Sequence, residues 1–360
     1  MARILRIDGA IDPHVHLRDL DWSYKATFLS ETTAAVAGGY TAVLDMPNTP
    51  PTTISIAALQ KKLATLRRSA VCDWGVYAGA SQSNNCHEFA EMAAHTCGLK
   101  IFNNATTGDL LIEDQELRDE IYRCWNGGTI AVHAEGSTIL ELLSLVRKYR
   151  KHTHFLHISS AQEIEMLREA KVEGLPVSIG VCPHHLFLSN EDEPRLKGYA
   201  LMKPGLKKPS DCEALWKAIE DGTVDVIESD HAPHTISEKE SEKPPFGVPG
   251  LETNIPLMLT AALEGRVSLD HVVQMLSSNV REIWGIPESQ GSYTLVDLDV
   301  EYTIERGNLH TKCGWSPFEG KSVRGKVLET WIHGTQAYDY KKGLLTGPGF
   351  GKNLFASEER

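Results

Sequence analysis

Residues 130–181 read IAVHAEGSTILELLSLVRKYRKHTHFLHISSAQEIEMLREAKVEGLPVSIGV, and the order of patterns in this stretch decides the fold. Runs 130–133, 155–157 and 177–181 are short and β-prone, while 139–151 and 161–172 carry apolar residues at helical spacing. Strand, helix, strand, helix, strand is the signature of parallel strands joined by helical crossovers, because parallel neighbours cannot be linked by a tight hairpin. Working outward, further strands are expected at 9–12, 40–46, 72–78, 99–102 and 224–229, and helices at 54–69, 114–125 and 212–219. Eight strands with intervening helices predict an α/β chain, a closed (β/α)8 TIM barrel rather than an open sheet. Past the eighth strand, the Glu-, Ser- and Lys-rich run 235–243 reads as an exposed loop, and 251–263 and 270–277 as closing helices. The barrel is therefore expected over 9–287. Runs 293–303 and 326–333 read as strands, so 1–8 and 288–360 are expected to form a small flanking β-rich segment.

The 360 residues can bury a large core, and a formal net charge of -12, spread along the chain without a basic patch, argues against a nucleic-acid partner. No run is apolar enough for a signal peptide or a membrane span, so no membrane partner is expected. Seven cysteines without a C-x-x-C pair suit a reduced cytoplasm.

Asp12-Pro13-His14-Val15-His16 places two histidines one residue apart at the first strand end, where period-two geometry points both rings the same way. Alone, such a pair also occurs by chance. His133 ends the fifth expected strand, His157 the sixth and Asp230 the eighth, all at the mouth where barrel strands deliver functional groups. A lone histidine there is usually a hydrogen-bonded rim residue; four with a carboxylate are better explained by a shared divalent metal such as zinc. Lys100 ends the fourth strand, and spacing leaves two readings of it: a rim cation, or a lysine converted by carbon dioxide to a bridging carbamate.

Several ordered segments resemble the dihydroorotases of the amidohydrolase superfamily: 12–18, 38–49, Val132-His133-Ala134-Glu135, Pro183-His184-His185-Leu186-Phe187-Leu188 and Ser229-Asp230-His231-Ala232-Pro233-His234. The runs 314–320 and 347–351 are similar to the dihydroorotase domain of the animal multifunctional pyrimidine protein. The resemblance implies a binuclear metal-dependent cyclic amide hydrolase that interconverts dihydroorotate and N-carbamoyl-L-aspartate. It implies that His14, His16 and Asp230 hold one Zn2+ or related ion, that His133 and His157 hold the other, and that Lys100 is the bridging N6-carboxylysine. Asp230 would also carry the proton from water to the departing nitrogen. Arg18, Asn48 and His234 would hold the substrate carboxylate, with Lys203, Thr106 and the backbone of Phe246 nearby, Thr106 lying on a lid over 103–108.

The chain departs from the family pattern in places. Arg18-Asp19-Leu20-Asp21 replaces the common Arg-Glu-Pro-Gly, so a differently shaped loop is expected; Thr107 replaces a phenylalanine, which implies weaker lid closure. Gly180 stands where relatives commonly carry glutamate and Leu156 where the animal-type domain has cysteine, so no third metal is expected. Competing readings are a hydantoin or allantoin amidase, whose substrate lacks the carboxylate, and a silent scaffold for aspartate transcarbamoylase, which should have lost metal ligands. By analogy, a homodimer is the expected assembly.

Overall fold

The computed structural model describes residues 2–105 and 110–356. Eight parallel strands follow one another around a barrel: β2 (Ile11–Val15), β3 (Ala42–Asp45), β4 (Asp73–Gly79), β5 (Gly98–Phe102), β6 (Thr129–His133), β7 (Thr153–Phe155), β8 (Val177–Val181) and β9 (Val226–Ile227). The ring closes through a parallel bridge between Val15 and His231, where the His16 amide donates to the His231 carbonyl at 2.7 Å. Strands β3, β5, β6 and β8 are buried along their whole length, as strands must be when helices cover one face and a packed interior fills the other.

The crossover helices begin where short polar side chains cap them, Ser55 before Ile56–Ser69 and Asp114 before Gln115–Cys124. Ser160 and Glu163 form a reciprocal capping box at the start of Ala161–Val172. The Glu163 carboxylate also accepts from the Gly136 amide at 3.0 Å and the Ser159 amide at 3.2 Å, so one capping residue ties together the chain leaving β6 and the chain leaving β7.

β1 (Ile4–Asp8) leaves the barrel to join β10 (Tyr293–Thr303), β11 (Ser322–Ile332), β12 (Thr335–Asp339) and β13 (Gly343–Leu344) in an antiparallel sheet of that order. This sheet packs on helices Phe28–Ala37 and Asn254–Leu263. The chain end then returns to the barrel floor, with Trp74 and Lys352 joined backbone to backbone at 2.9 Å.

Strand positions agree with the sequence pattern, but their ends shift. The run expected at 155–157 is observed at Thr153–Phe155 and that at 224–229 at Val226–Ile227, which places His157 and Asp230 in the turns beyond the strands. Run 235–243 is not simply an exposed loop. It holds a helical turn, Ile236–Lys239, and buries Lys239, whose ammonium donates to the carbonyls of Leu201, Pro245 and Gly247 at 2.8–3.0 Å. Composition made this run look solvated; three converging carbonyls take the charge inside. Among the described residues no helix is long and apolar enough to cross a membrane. All seven cysteines are free.

Candidate active site

The paired histidines meet at one atom. Nε2 of His14 and Nε2 of His16 each lie 3.1 Å from Oδ1 of Asp230. The His16 ring is held from behind, its Nδ1 donating to Oδ1 of Asn48 at 2.6 Å, while Nδ1 of His14 faces Oε2 of Glu228 at 3.6 Å, beyond hydrogen-bond distance. Asp12 fixes the backbone beneath them, accepting from the His14 and Ser229 amides at 3.1 and 3.2 Å. Burial pushes the Asp12 carboxyl up to about 7. Asp230 feels burial too, but His14 and His16 outweigh it and hold its carboxyl far below the usual range.

On the other side of the mouth the His157 ring centroid lies 4.6 Å from that of His133 and 5.2 Å from that of His14. His157 at φ 39° and Asp230 at φ 46° are both in the left-handed region, an uncommon backbone state for such residues that turns their side chains inward. Burial depresses the His16 imidazole to about 3 and that of His157 well below its usual value, which leaves both rings neutral, the form that binds metal. One atom each from His14, His157 and Asp230 fall within 4.8 Å of one another. Lys100 is fully buried at the centre, and its Nζ lies 4.6 Å from the Phe102 ring centroid and has no hydrogen-bond partner among the described residues. Burial lowers its ammonium to about 7.

A cationic wall adjoins these groups. Arg18, 1% exposed, donates from Nε to the Pro233 carbonyl at 3.3 Å and approaches Nε2 of His234 with Nη2 at 3.2 Å, while Nη1 has no partner among the described residues. Nε2–H of His234 donates to the Phe246 carbonyl at 2.9 Å, and Nδ1 accepts from the Lys25 ammonium at 2.9 Å. Burial, with Arg18 and Lys25 beside it, keeps His234 neutral. Arg18, Asn48, Lys203 and Phe246 line the same cavity as His14, His133 and Asp230, and Lys203 sits 5.2 Å over the Phe246 ring. Asp19 does not pair with Arg18; its carboxylate accepts from the Leu20 and Phe28 amides. Thr106 and Thr107 lie outside the described residues.

The Amidohydrolase family profile matches residues 8–295. The chain belongs to the amidohydrolase family. It is 39% identical over 360 residues to the multifunctional protein pyr1-3 of Dictyostelium discoideum, covering 99% of this chain but only 16% of that protein's length. It is 36% identical to the dihydroorotase of Pyrococcus furiosus, with 91% of this chain and 80% of that one covered. Among solved structures, the L-hydantoinase of Arthrobacter aurescens superposes with a TM-score of 0.92 at 25% identity, over 97% of this chain and 88% of that one.

The donors of this amidohydrolase fit divalent metal: neutral imidazoles and an ionised carboxylate converge, and the buried Nζ of Lys100 and Nδ1 of His157 find no other partner among the described residues. Sequence reasoning missed Lys25, because a lysine seven positions after Arg18 carries no strand-end signal, and it missed Glu228, which looked like one more strand residue. It also gave no role to Cys182, which clusters with His184 and His185 as a second group of possible donors, each offering an atom within 4.8 Å of the others.

Proposed function

We propose that this amidohydrolase is a dihydroorotase of pyrimidine biosynthesis, hydrolysing dihydroorotate to N-carbamoyl-L-aspartate and catalysing the reverse cyclisation. The observation that carries this reading is the juxtaposition, in one cavity, of the imidazole and carboxylate donors with the cationic wall of Arg18 and Lys203. A hydantoin offers that wall nothing to bind; a ring carboxylate does. The archaeal relatives named dihydroorotase support the same substrate.

In this reading His14, His16 and Asp230 would hold one zinc ion and His133 and His157 the other, with a carboxylated Lys100 as the ligand that would serve both. Metal bound there would supply an acidified water near neutral pH and a Lewis acid for the ring carbonyl. The protein's own residues do the rest. Arg18 and Asn48, with His234 steadied by Lys25, orient the substrate through its carboxylate. Asp230, ionised and facing the cavity, takes the proton of the attacking water and passes it to the ring nitrogen as the amide bond breaks. Lys100 suits its part because burial brings its amine toward neutrality, and only the neutral amine captures carbon dioxide. Free cysteines fit a cytoplasmic setting. A homodimer and association with aspartate transcarbamoylase are the assemblies this reading proposes, and light scattering with and without that partner tests both.

The test is turnover by the purified chain on dihydroorotate, carbamoyl-aspartate, hydantoin and allantoin side by side. Turnover confined to the first two is expected. Preference for hydantoin or allantoin would replace the reading with a different cyclic amidase, and inactivity on all four in metal-replete protein would favour a scaffold.

A further inference from the structure

Glu228 is a carboxylate with no exposed surface, set just after β9 and facing the barrel interior. Such a group persists only where donors surround it. Here they come from β2, from β7 and from the turn that follows β7. Oε1 accepts a short bond from the backbone N–H of His157. Oε2 lies 3.4 Å from Nε2 of His154, whose Nδ1 is engaged with the Ser178 hydroxyl at 2.7 Å, and 3.6 Å from Nδ1 of His14.

The space it fills exists because of the neighbouring strand. Gly180 of β8 is in register with Val226 of β9, and a Cβ added there would lie 2.5 Å from Oε1 of Glu228 and 2.8 Å from Nε2 of His154. Neither contact is tolerable. A glycine at 180 and a glutamate at 228 thus form one device, in which any side chain at the first would expel the carboxylate of the second.

The position of the device has consequences for the histidines. With Nε2 of both His14 and His16 directed at Asp230, each ring needs an acceptor behind it to keep the proton on Nδ1. Asn48 serves His16. For His14 the carboxylate that faces Nδ1 is Glu228, at 3.6 Å. We propose that Glu228, admitted by Gly180, is the positioning carboxylate of the metal centre: it fixes the His14 ring as an Nε2 ligand and, through the His157 amide, holds the turn that carries the ligand on the other side. It touches no substrate. The inference rests on the metal-centre reading above, yet it concerns a residue that reading does not use.

The test is zinc affinity, measured by chelator competition on unaltered protein, Glu228→Gln and Gly180→Ala. Both variants should bind zinc about 10- to 100-fold more weakly, the range for losing an outer partner of a ligand histidine. Both should still fill two sites at saturating zinc and remain folded without metal, at a somewhat lower melting temperature than the unaltered protein. In a structure of the unaltered zinc-loaded protein, Nδ1 of His14 should close on Glu228 to about 3 Å. Unchanged zinc affinity in folded Glu228→Gln, or a loaded structure in which Nδ1 of His14 meets zinc or another acceptor, would overturn the role. Should Glu228→Gln fail to fold, Gly180→Ala and the loaded structure decide alone. Zinc-loaded protein inactive on dihydroorotate would count against the functional reading only; unaltered protein that takes up no zinc would overturn both.

Discussion

Arg18 has no carboxylate within ion-pair distance among the described residues, although burial brings its guanidinium down to about 10. A buried fork with one arm unengaged is poised for an anionic guest, and lysine cannot reproduce it. Arg18→Lys should raise KM for dihydroorotate, and Arg18→Ala should cost about 2–5 kcal/mol in kcat/KM, the range for truncating one member of a desolvated charge pair; unchanged kinetics in the alanine variant would mean the site binds something else. Lys100 makes the companion case. Lys100→Ala should lose activity and at least one metal, and intact-mass measurement of the native protein under mild conditions should show an added carboxyl. At this scale the sequence was informative where spacing is rigid: His14-x-His16 lies on a strand, so its geometry could be read directly. Glu228 could not be found that way, because its meaning depends on the absence of a side chain at Gly180, forty-eight positions earlier and one strand away.

Among the elements, helix Phe28–Ala37 carries a buried acid that fastens three parts of the chain. One Glu31 oxygen accepts from Nε2 of His231 at 2.7 Å and from the Thr311 hydroxyl, and the other accepts from the Lys312 amide at 3.1 Å. Burial raises its carboxyl, but the bond and charge of His231 outweigh this and hold it below 4.5. The unfolded chain therefore binds a proton here before the folded one does. The stabilisation is present above pH 4.5 and is lost as pH falls through the lower folded value. Glu31→Gln should cost about 2 kcal/mol in urea unfolding at neutral pH and flatten the acid limb of the stability profile; an unaltered acid limb would show that Glu31 is not the group responsible. Strand existence was legible from β-prone runs, whereas strand ends were not. His157 and Asp230 leave their strands in left-handed turns, and nothing in a local pattern announces a φ that tertiary contacts impose.

For the whole molecule, function and closure sit at opposite ends of the barrel. The candidate ligands cluster at the C-terminal mouth, while the chain end seals the floor: the amides of Gly349 and Gly351 both donate to the Ala70 carbonyl, and that of Leu354 donates to Trp74. Gly351 comes so near that a Cβ there would lie 1.7 Å from the Cys72 oxygen. Gly351→Ala should therefore lower the melting temperature by several degrees while leaving kcat/KM at 25 °C unchanged; a large kinetic defect in folded protein would show that floor and mouth are coupled. The alternation of strands and helices made the barrel readable from one stretch of sequence, but the returning tail was not, since it has no periodicity and is held by backbone bonds. The account as a whole stands on the two-metal centre, and metal analysis of protein purified without chelator tests it most directly. About two divalent ions per chain are predicted for the unaltered protein, with one depleted in His133→Ala and in His157→Ala. Full metal content in both variants, or none in the unaltered chain, would contradict it.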